Sequence, residues 1–293
     1  TLIKGGAKVN IKDQHGYSVL AYAIQENLKK VFKVLLSKGA DLGFRDPEAK
    51  TLLMIAVENR NKAAVKALLR AGVNVNDTDK KGWTALMLAA KKGDSAQVRR
   101  LNKASARMNL MNEYGETALM VSAAQGHSEV VDTLITLKAS INAVNKQGWT
   151  ALMYAADKGH EDIVKSLVAS GAQIDITDKM NSTTLMRAAE VGSLSIVRYL
   201  LDKGADANVR RRGGETALSL AQAAGQSQVI GELQGRGARG GGMRFRSFSL
   251  DDLATKEEES TTSGFYSGWT PLMVAAWEGR YTSLVKELKK KPD

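Results

Sequence analysis

The sequence contains no cysteine, which excludes a disulfide, a thiolate nucleophile and a thiolate metal site. Histidine is nearly as scarce, with 3 in 293 residues, so general-base chemistry and imidazole ligation have few candidates. A hydrolase would have to work with carboxylates or lysine. No apolar stretch approaches the roughly 20 residues that span a bilayer, and no charged-then-apolar leader opens the chain. A Gly-x-x-x-x-Gly-Lys phosphate loop is missing too; the run Gly240–Gly242 lacks the helix and lysine that would follow and reads as a linker. No catalysis, cofactor or metal is expected. The chain is expected to be soluble and cytoplasmic, although the missing cysteines do not identify the compartment.

What is present is a repeat. Leu20, Leu53, Leu86, Leu119, Leu152, Leu185 and Leu218 stand 33 residues apart. Two residues before each is an oxygen side chain, Ser18, Thr51, Thr84, Thr117, Thr150, Thr183 or Thr216, suited to cap the free N–H groups at a helix start. Gly16, Gly82, Gly115, Gly148 and Gly214 mark a tight turn in the same phase, from which Ala49 and Asn181 depart. Asn10, Asn76, Asn109, Asn142 and Asn208 fill a further column, with Gly43 and Asp175 as exceptions. Side chains of this type are expected to brace the loop by bonding their own backbone. Within a unit, Leu152, Met153, Ala155 and Ala156 form one apolar helix face, and Ile163, Val164, Leu167 and Val168 form a second. Neither helix can bury its face alone, so stacked neighbours must share one long core.

A period of 33 with a Gly-x-Thr-Ala-Leu opening resembles the ankyrin-repeat family. The resemblance covers residues 1–238, a partial repeat plus seven units, and again 268–293. It implies an all-α fold, a solenoid of stacked helix pairs with a loop ridge. Thr1 falls inside what looks like an outer helix, so the natural N-terminus is expected to lie upstream. The family's Thr-x-x-His is replaced by Thr-x-x-Met at Met54, Met87, Met120, Met153, Met186 and Met273. A methionine stripe at this spacing reads as adaptable core filler, not as a metal box. His127 and His160 follow glycines at the expected start of an outer helix, a structural place, and His15 stands alone on a loop tip.

The resemblance implies function by binding, on the ridge and the exposed side of the inner helices. Positions mapping there are Tyr17, Lys80, Lys81, Trp83, Lys91, Lys92, Tyr114, Glu116, Lys146, Trp149, Asp157, Lys158, Arg212, Trp269 and Trp277. Trp83 and Trp149 share one column two units apart, about 20 Å at ordinary helix spacings. Aromatic and cationic residues dominate interface energetics, although tryptophan after the turn glycine can also pack on a neighbouring loop. The expected function is a scaffold or adaptor that binds a protein, acidic in part, on a concave aromatic and basic face. The net charge of +11 keeps open a polyanion-binding alternative for nucleic acid or inositol phosphate; nucleic acid is the less favoured partner. Arg99 and Arg100, on an outer helix, should point elsewhere.

The repeat has defects. Outer helices should end at a left-handed glycine, as at Gly39, Gly72, Gly171 and Gly204, but Ser105 and Lys138 stand there instead. Asn102 replaces the leucine expected at the inward end of its helix and would bury an amide. Units 82–114 and 115–147 are therefore expected to form the softest seam. The period then breaks: Gly268 follows Gly214 by 54 residues, 21 more than one unit. The insert 239–267 is Gly-rich and then polar and cannot build its own core. Residues 243–253 are a candidate intramolecular ligand, and Arg244-x-Arg246-x-x-Ser249 resembles a basophilic kinase substrate, with Ser249 the candidate phosphorylation site. Residues 268–293 read as a further helix pair capping one end of the stack, and the glycines before Met243 read equally as a fusion junction.

Overall fold

The computed structural model describes residues 8–241. They belong to a compact unit, Thr1–Arg244, separate from a second, Phe245–Asp293. The expectations for residues 243–253, Ser249, Trp269, Met273, Trp277 and the pair 268–293 lie outside the described residues, as does all of the insert beyond Gly241.

The described residues form seven helix pairs. The first four are α1 (Val19–Gln25) with α2 (Lys29–Ser37), α3 (Leu52–Glu58) with α4 (Lys62–Arg70), α5 (Ala85–Lys91) with α6 (Ser95–Lys103), and α7 (Ala118–Ala124) with α8 (Ser128–Thr136). The remaining three are α9 (Ala151–Asp157) with α10 (Glu161–Ala169), α11 (Thr184–Val191) with α12 (Leu194–Asp202), and α13 (Ala217–Ala223) with α14 (Ser227–Gly235). Odd-numbered inner helices pack on one another in sequence, as do the outer helices from α6 to α14 and the pair α2 and α4. No extended strand occurs among the described residues; isolated bridges Lys12 to Ser18, Arg45 to Thr51 and Thr78 to Thr84 close three hairpins.

Each inner helix begins where the sequence places it. The hydroxyl of Thr84 accepts the Met87 N–H, and Ser18 and the other five threonines do the same for the residue three ahead. Such caps are worth about 1 kcal/mol each. The seven period leucines are all buried, as are Met54, Met87, Met120, Met153 and Met186, so the methionine stripe is core. Alanines at 23, 56, 89, 155, 188 and 221 are essentially inaccessible, and their small side chains let neighbouring inner helices pack closely.

Two details differ from the sequence reading. The Asn10 column does not brace its own loop. Oδ1 of Asn10, Asn76, Asn109, Asn142 and Asn208 accepts the backbone N–H of Asp41, Arg107, Ser140, Gln173 and Arg239, each one unit ahead. These asparagines clip neighbouring units together. The local brace comes from another column, Asp13, Asp46, Asp79, Asn112, Asn145 and Asp178, whose Oδ1 accepts N–H groups two and four residues ahead. Between hairpin tips runs a second ladder, in which the N–H groups of Lys80, Glu113, Lys146, Lys179 and Arg212 donate to the preceding tip. Pro47 occupies the same position and has no N–H to give.

The second difference concerns the defects. Asn102 is only half-buried, and the inward position belongs to Leu101, which is fully enclosed. The amide in the core is Gln97. It is 1% exposed in a column otherwise filled by Val31, Ala64, Val130, Ile163, Ile196 and Val229; its Oε1 accepts from Arg100, and its Nε2 has no partner. Ser105 and Lys138 do adopt the left-handed conformation, at φ 67° and 62°. A seam at these units thus rests on Ser105, Lys138 and Gln97. Glycine at 105 or 138 is expected to raise the unfolding free energy by about 1 kcal/mol each, seen as a higher urea midpoint. Gln97→Leu, which keeps the volume and removes the unpartnered Nε2, should also raise it by about 1 kcal/mol; a lower midpoint would show the Arg100 hydrogen bond to outweigh it.

Candidate interaction surface

The hairpin brace determines how the tryptophans are presented. Oδ1 of Asp79 holds the Trp83 N–H at 2.8 Å, and Oδ1 of Asn145 holds that of Trp149 at 2.8 Å. Each indole therefore leaves a fixed turn immediately before a threonine cap. Gly148 is required in that turn: it sits at φ 87°, and a Cβ there would lie 2.9 Å from the Asp178 backbone. Both indoles are half-buried, combining the packing role and the exposed one.

Around Trp149 the structure assembles residues from three successive units. The Tyr154 ring lies 5.1 Å away at 58°, and the Arg187 guanidinium sits over the indole at 4.4 Å. Arg187 is held by Asp178 at 2.6 Å and by Glu190 at 3.5 Å. The Tyr154 hydroxyl donates to Glu116 at 2.8 Å and accepts from Asn145 Nδ2 at 2.9 Å. Burial, followed by the Glu116 hydrogen bond, pushes the Tyr154 phenol far up, so it remains a neutral donor. Burial also pushes Asp178 upward, but the Ser182 N–H, the Arg187 guanidinium and the Met180 N–H outweigh it and hold the carboxyl below its usual value.

Trp83 has a simpler setting, with the Lys91 ammonium 5.1 Å from its ring and Lys80, Lys81 and Lys92 exposed nearby in sequence. Tyr17 forms a third aromatic group, 5.7 Å from Tyr22 and 6.4 Å from Phe44. Tyr114 is exposed on its tip, and Lys158 pairs with Asp157 at 2.9 Å. The cations of this face alternate with carboxylates: Lys50 meets Glu58 at 2.8 Å, Glu116 stands in the column between Trp83 and Trp149, and Glu190 follows beside Arg187. Arg99 does point elsewhere, pairing with Glu129 between outer helices at 3.1 Å.

Tyr154, Arg187 and Asp178 were missed by sequence reasoning, although a signal existed. Tyr154 and Arg187 stand in a column that reads Tyr22, Ile55, Leu88 and Val121 in the preceding units, and a polar or amphipathic group after three apolar members marks a special contact. Two of the three histidines are structural. His127 Nε2 lies 3.0 Å from the Lys91 carbonyl and His160 Nε2 3.4 Å from that of Ala124, tying each outer-helix start to the preceding inner helix. Among the described residues there is no cluster of three metal-ligating side chains and no helix long and apolar enough to cross a membrane.

Comparison with known proteins agrees with this geometry. A model of ankyrin repeats (3 copies) matches residues 20–106 and 87–178, and a model of ankyrin repeats (many copies) matches 167–221. The chain is similar to a solved structure described as the ankyrin repeat domain of Bcl-3, a unique member of the IkappaB protein family. Identity is 26%, with a TM-score of 0.65 over 75% of this chain and 100% of that one. No curated protein matches the sequence.

Because Asp178 is depressed in the folded state, its contribution to stability is present above the usual value of 3.8 and lost as pH falls through the lower folded value. Asn145 shows that an amide can brace this turn, so Asp178→Asn should remove the charge and keep the turn. The variant is expected to lose about 1–2 kcal/mol at neutral pH and to show a flatter acid limb in urea unfolding measured across pH. An acid limb as steep as that of the parent would place the titration elsewhere.

Proposed function

The chain belongs to the ankyrin-repeat family, and on that premise we propose that it is a non-catalytic, cytoplasmic scaffold that binds a protein partner across its inner helices and hairpin tips. Ankyrin repeats generally mediate protein–protein interaction, and this surface has the physical character such binding needs. The observation that carries the reading is the state of Trp149. It is half-exposed yet in contact with both Tyr154 and Arg187, which are themselves anchored to Glu116 and Asp178. An aromatic anchor held in this way loses little side-chain entropy on binding, and tryptophan, tyrosine and arginine are the residues most enriched at energetic centres of interfaces. Lys80, Lys81, Lys91 and Lys92 near Trp83 suit an acidic part of the same partner.

The polyanion alternative draws on the net charge of +11. What weighs against a continuous track is the alternation of Glu58, Glu116, Asp157 and Glu190 with the cations along the inner-helix face. Salt separates the two, because a polyphosphate contact weakens linearly in log salt with a steep slope whereas an aromatic anchor does not. Affinity capture from native extract at two salt concentrations should retain a specific protein at both, and Trp83→Ala with Trp149→Ala should lose it by about tenfold or more. Retention that vanishes at high salt, ignores the tryptophans and is competed by nucleic acid would establish the polyanion reading instead.

A further inference from the structure

We propose that the hairpin tips of the sixth and seventh units form a binding site for a phosphorylated side chain of a protein partner. A cavity of about 380 Å³ lies between them, lined by Thr177, Lys179, Asn181, Arg210, Arg211 and Arg212. None of these four cations forms an ion pair among the described residues. The carboxylate that also reaches the cavity, Asp178, is already engaged: Oδ1 holds its own turn and Oδ2 holds Arg187. Glu215 folds back over Gly213, where a side chain would collide with it. The walls are rigid, because Asn181 Nδ2 donates to the Arg210 carbonyl at 2.6 Å and the Arg212 N–H donates to the Met180 carbonyl at 3.0 Å.

The second observation comes from the repeat itself. In the six preceding units, Asp13, Asp46, Asp79, Asn112, Asn145 and Asp178 each brace the hairpin with two hydrogen bonds from one oxygen. Arg211 stands at that position in the seventh unit and has no acceptor to offer. A stabilising device used six times is replaced by a cation flanked by two more, the kind of local rule-breaking that marks a functional position. Guanidinium forks match phosphate oxygens in pairs, and a phosphoryl group near a double negative charge suits a cluster of unpaired cations.

The cluster is local, which favours a single phosphate over a polymer. Two units back the tip carries Glu113 and Glu116. A protein-borne phosphate fits the position, because Asp178 joins the cavity to the Arg187–Trp149 stack, so a partner seated on the indole would meet these arginines. The site rests on the scaffold reading only for the nature of the molecule that carries the phosphate.

Fluorescence anisotropy on the full chain tests this, using a short labelled peptide of glycine and alanine around one phosphoserine, its unphosphorylated twin, inorganic phosphate as competitor, and single-stranded DNA. The phosphopeptide should bind about tenfold tighter than its twin, be displaced by inorganic phosphate, and lose that preference in the Arg210→Gln, Arg212→Gln variant. Arg211→Asn should weaken binding while raising the urea midpoint, since the turn brace is restored; a loss of binding in a more stable protein cannot come from misfolding. Equal binding of both peptides, indifference to the arginines, no gain in urea resistance for Arg211→Asn, or tighter binding of DNA with a steep salt slope would each overturn the assignment. The probe carries no group for the tryptophans. Failure here alongside Trp-dependent capture of a partner would thus remove this site alone, and loss of that capture would remove the scaffold reading.

Discussion

Burial of each unit's apolar faces against its neighbours is the interaction on which the rest of the structure depends. An inner helix of seven residues is too short to persist in water on its own propensity. It survives because Leu86, Met87, Ala89 and Ala90, and their equivalents in the first six units, are enclosed by the packing of neighbouring helices. Stability then accumulates interface by interface, and a residue on the face gains its position from three units at once. The Trp149 assembly shows this directly, since removing either neighbouring unit would take away Arg187 or Glu116.

A polar lattice sits on that apolar stack and sets its register. The Asp/Asn brace shapes each hairpin, the asparagine clip ties it to the next unit, the tip ladder spaces the turns, and His127 and His160 reach back to the preceding inner helix. The interruptions differ in kind. Pro47 and Gly43 simply lack a bond that other units make, and Gln97 buries an unpartnered Nε2 where other units are apolar. Arg211 replaces a bond with a charge, and it does so beside two more charges and an open cavity. The first kind bears on where the stack is soft, and the second bears on what it holds.

The scaffold does not by itself name a partner, because function on a repeat fold belongs to the variable positions. Here those positions are chemically uneven. Lys91 lies over Trp83 with three more lysines close in sequence, a tyrosine ring and a guanidinium contact Trp149, and arginines crowd the last tips. Carboxylates interleave the first two groups, so the surface is patterned for a shaped partner with local charge of both signs more than for a uniform polyanion.

Much of the fold was legible in the residues because its signals are local. A threonine caps the N–H three residues ahead, and left-handed turns at Ala49, Ser105, Lys138 and Asn181 follow from phase alone; such features need no knowledge of a neighbour. The site was half legible. Both tryptophans stood out by type and spacing, while Tyr154, Arg187 and Asp178 gained meaning only when units were stacked. Period, caps, core columns and family were thus determined by the sequence itself, since each depends on contacts within a few residues or on exact repetition. Tertiary structure alone decided that Asn142 clips the next unit instead of its own loop, that Gln97 and not Asn102 is the amide buried without a full set of partners, and that Arg187 lies over Trp149. Those outcomes depend on where a side chain meets a residue some thirty or more positions away, and only the packing of one unit on another fixes that.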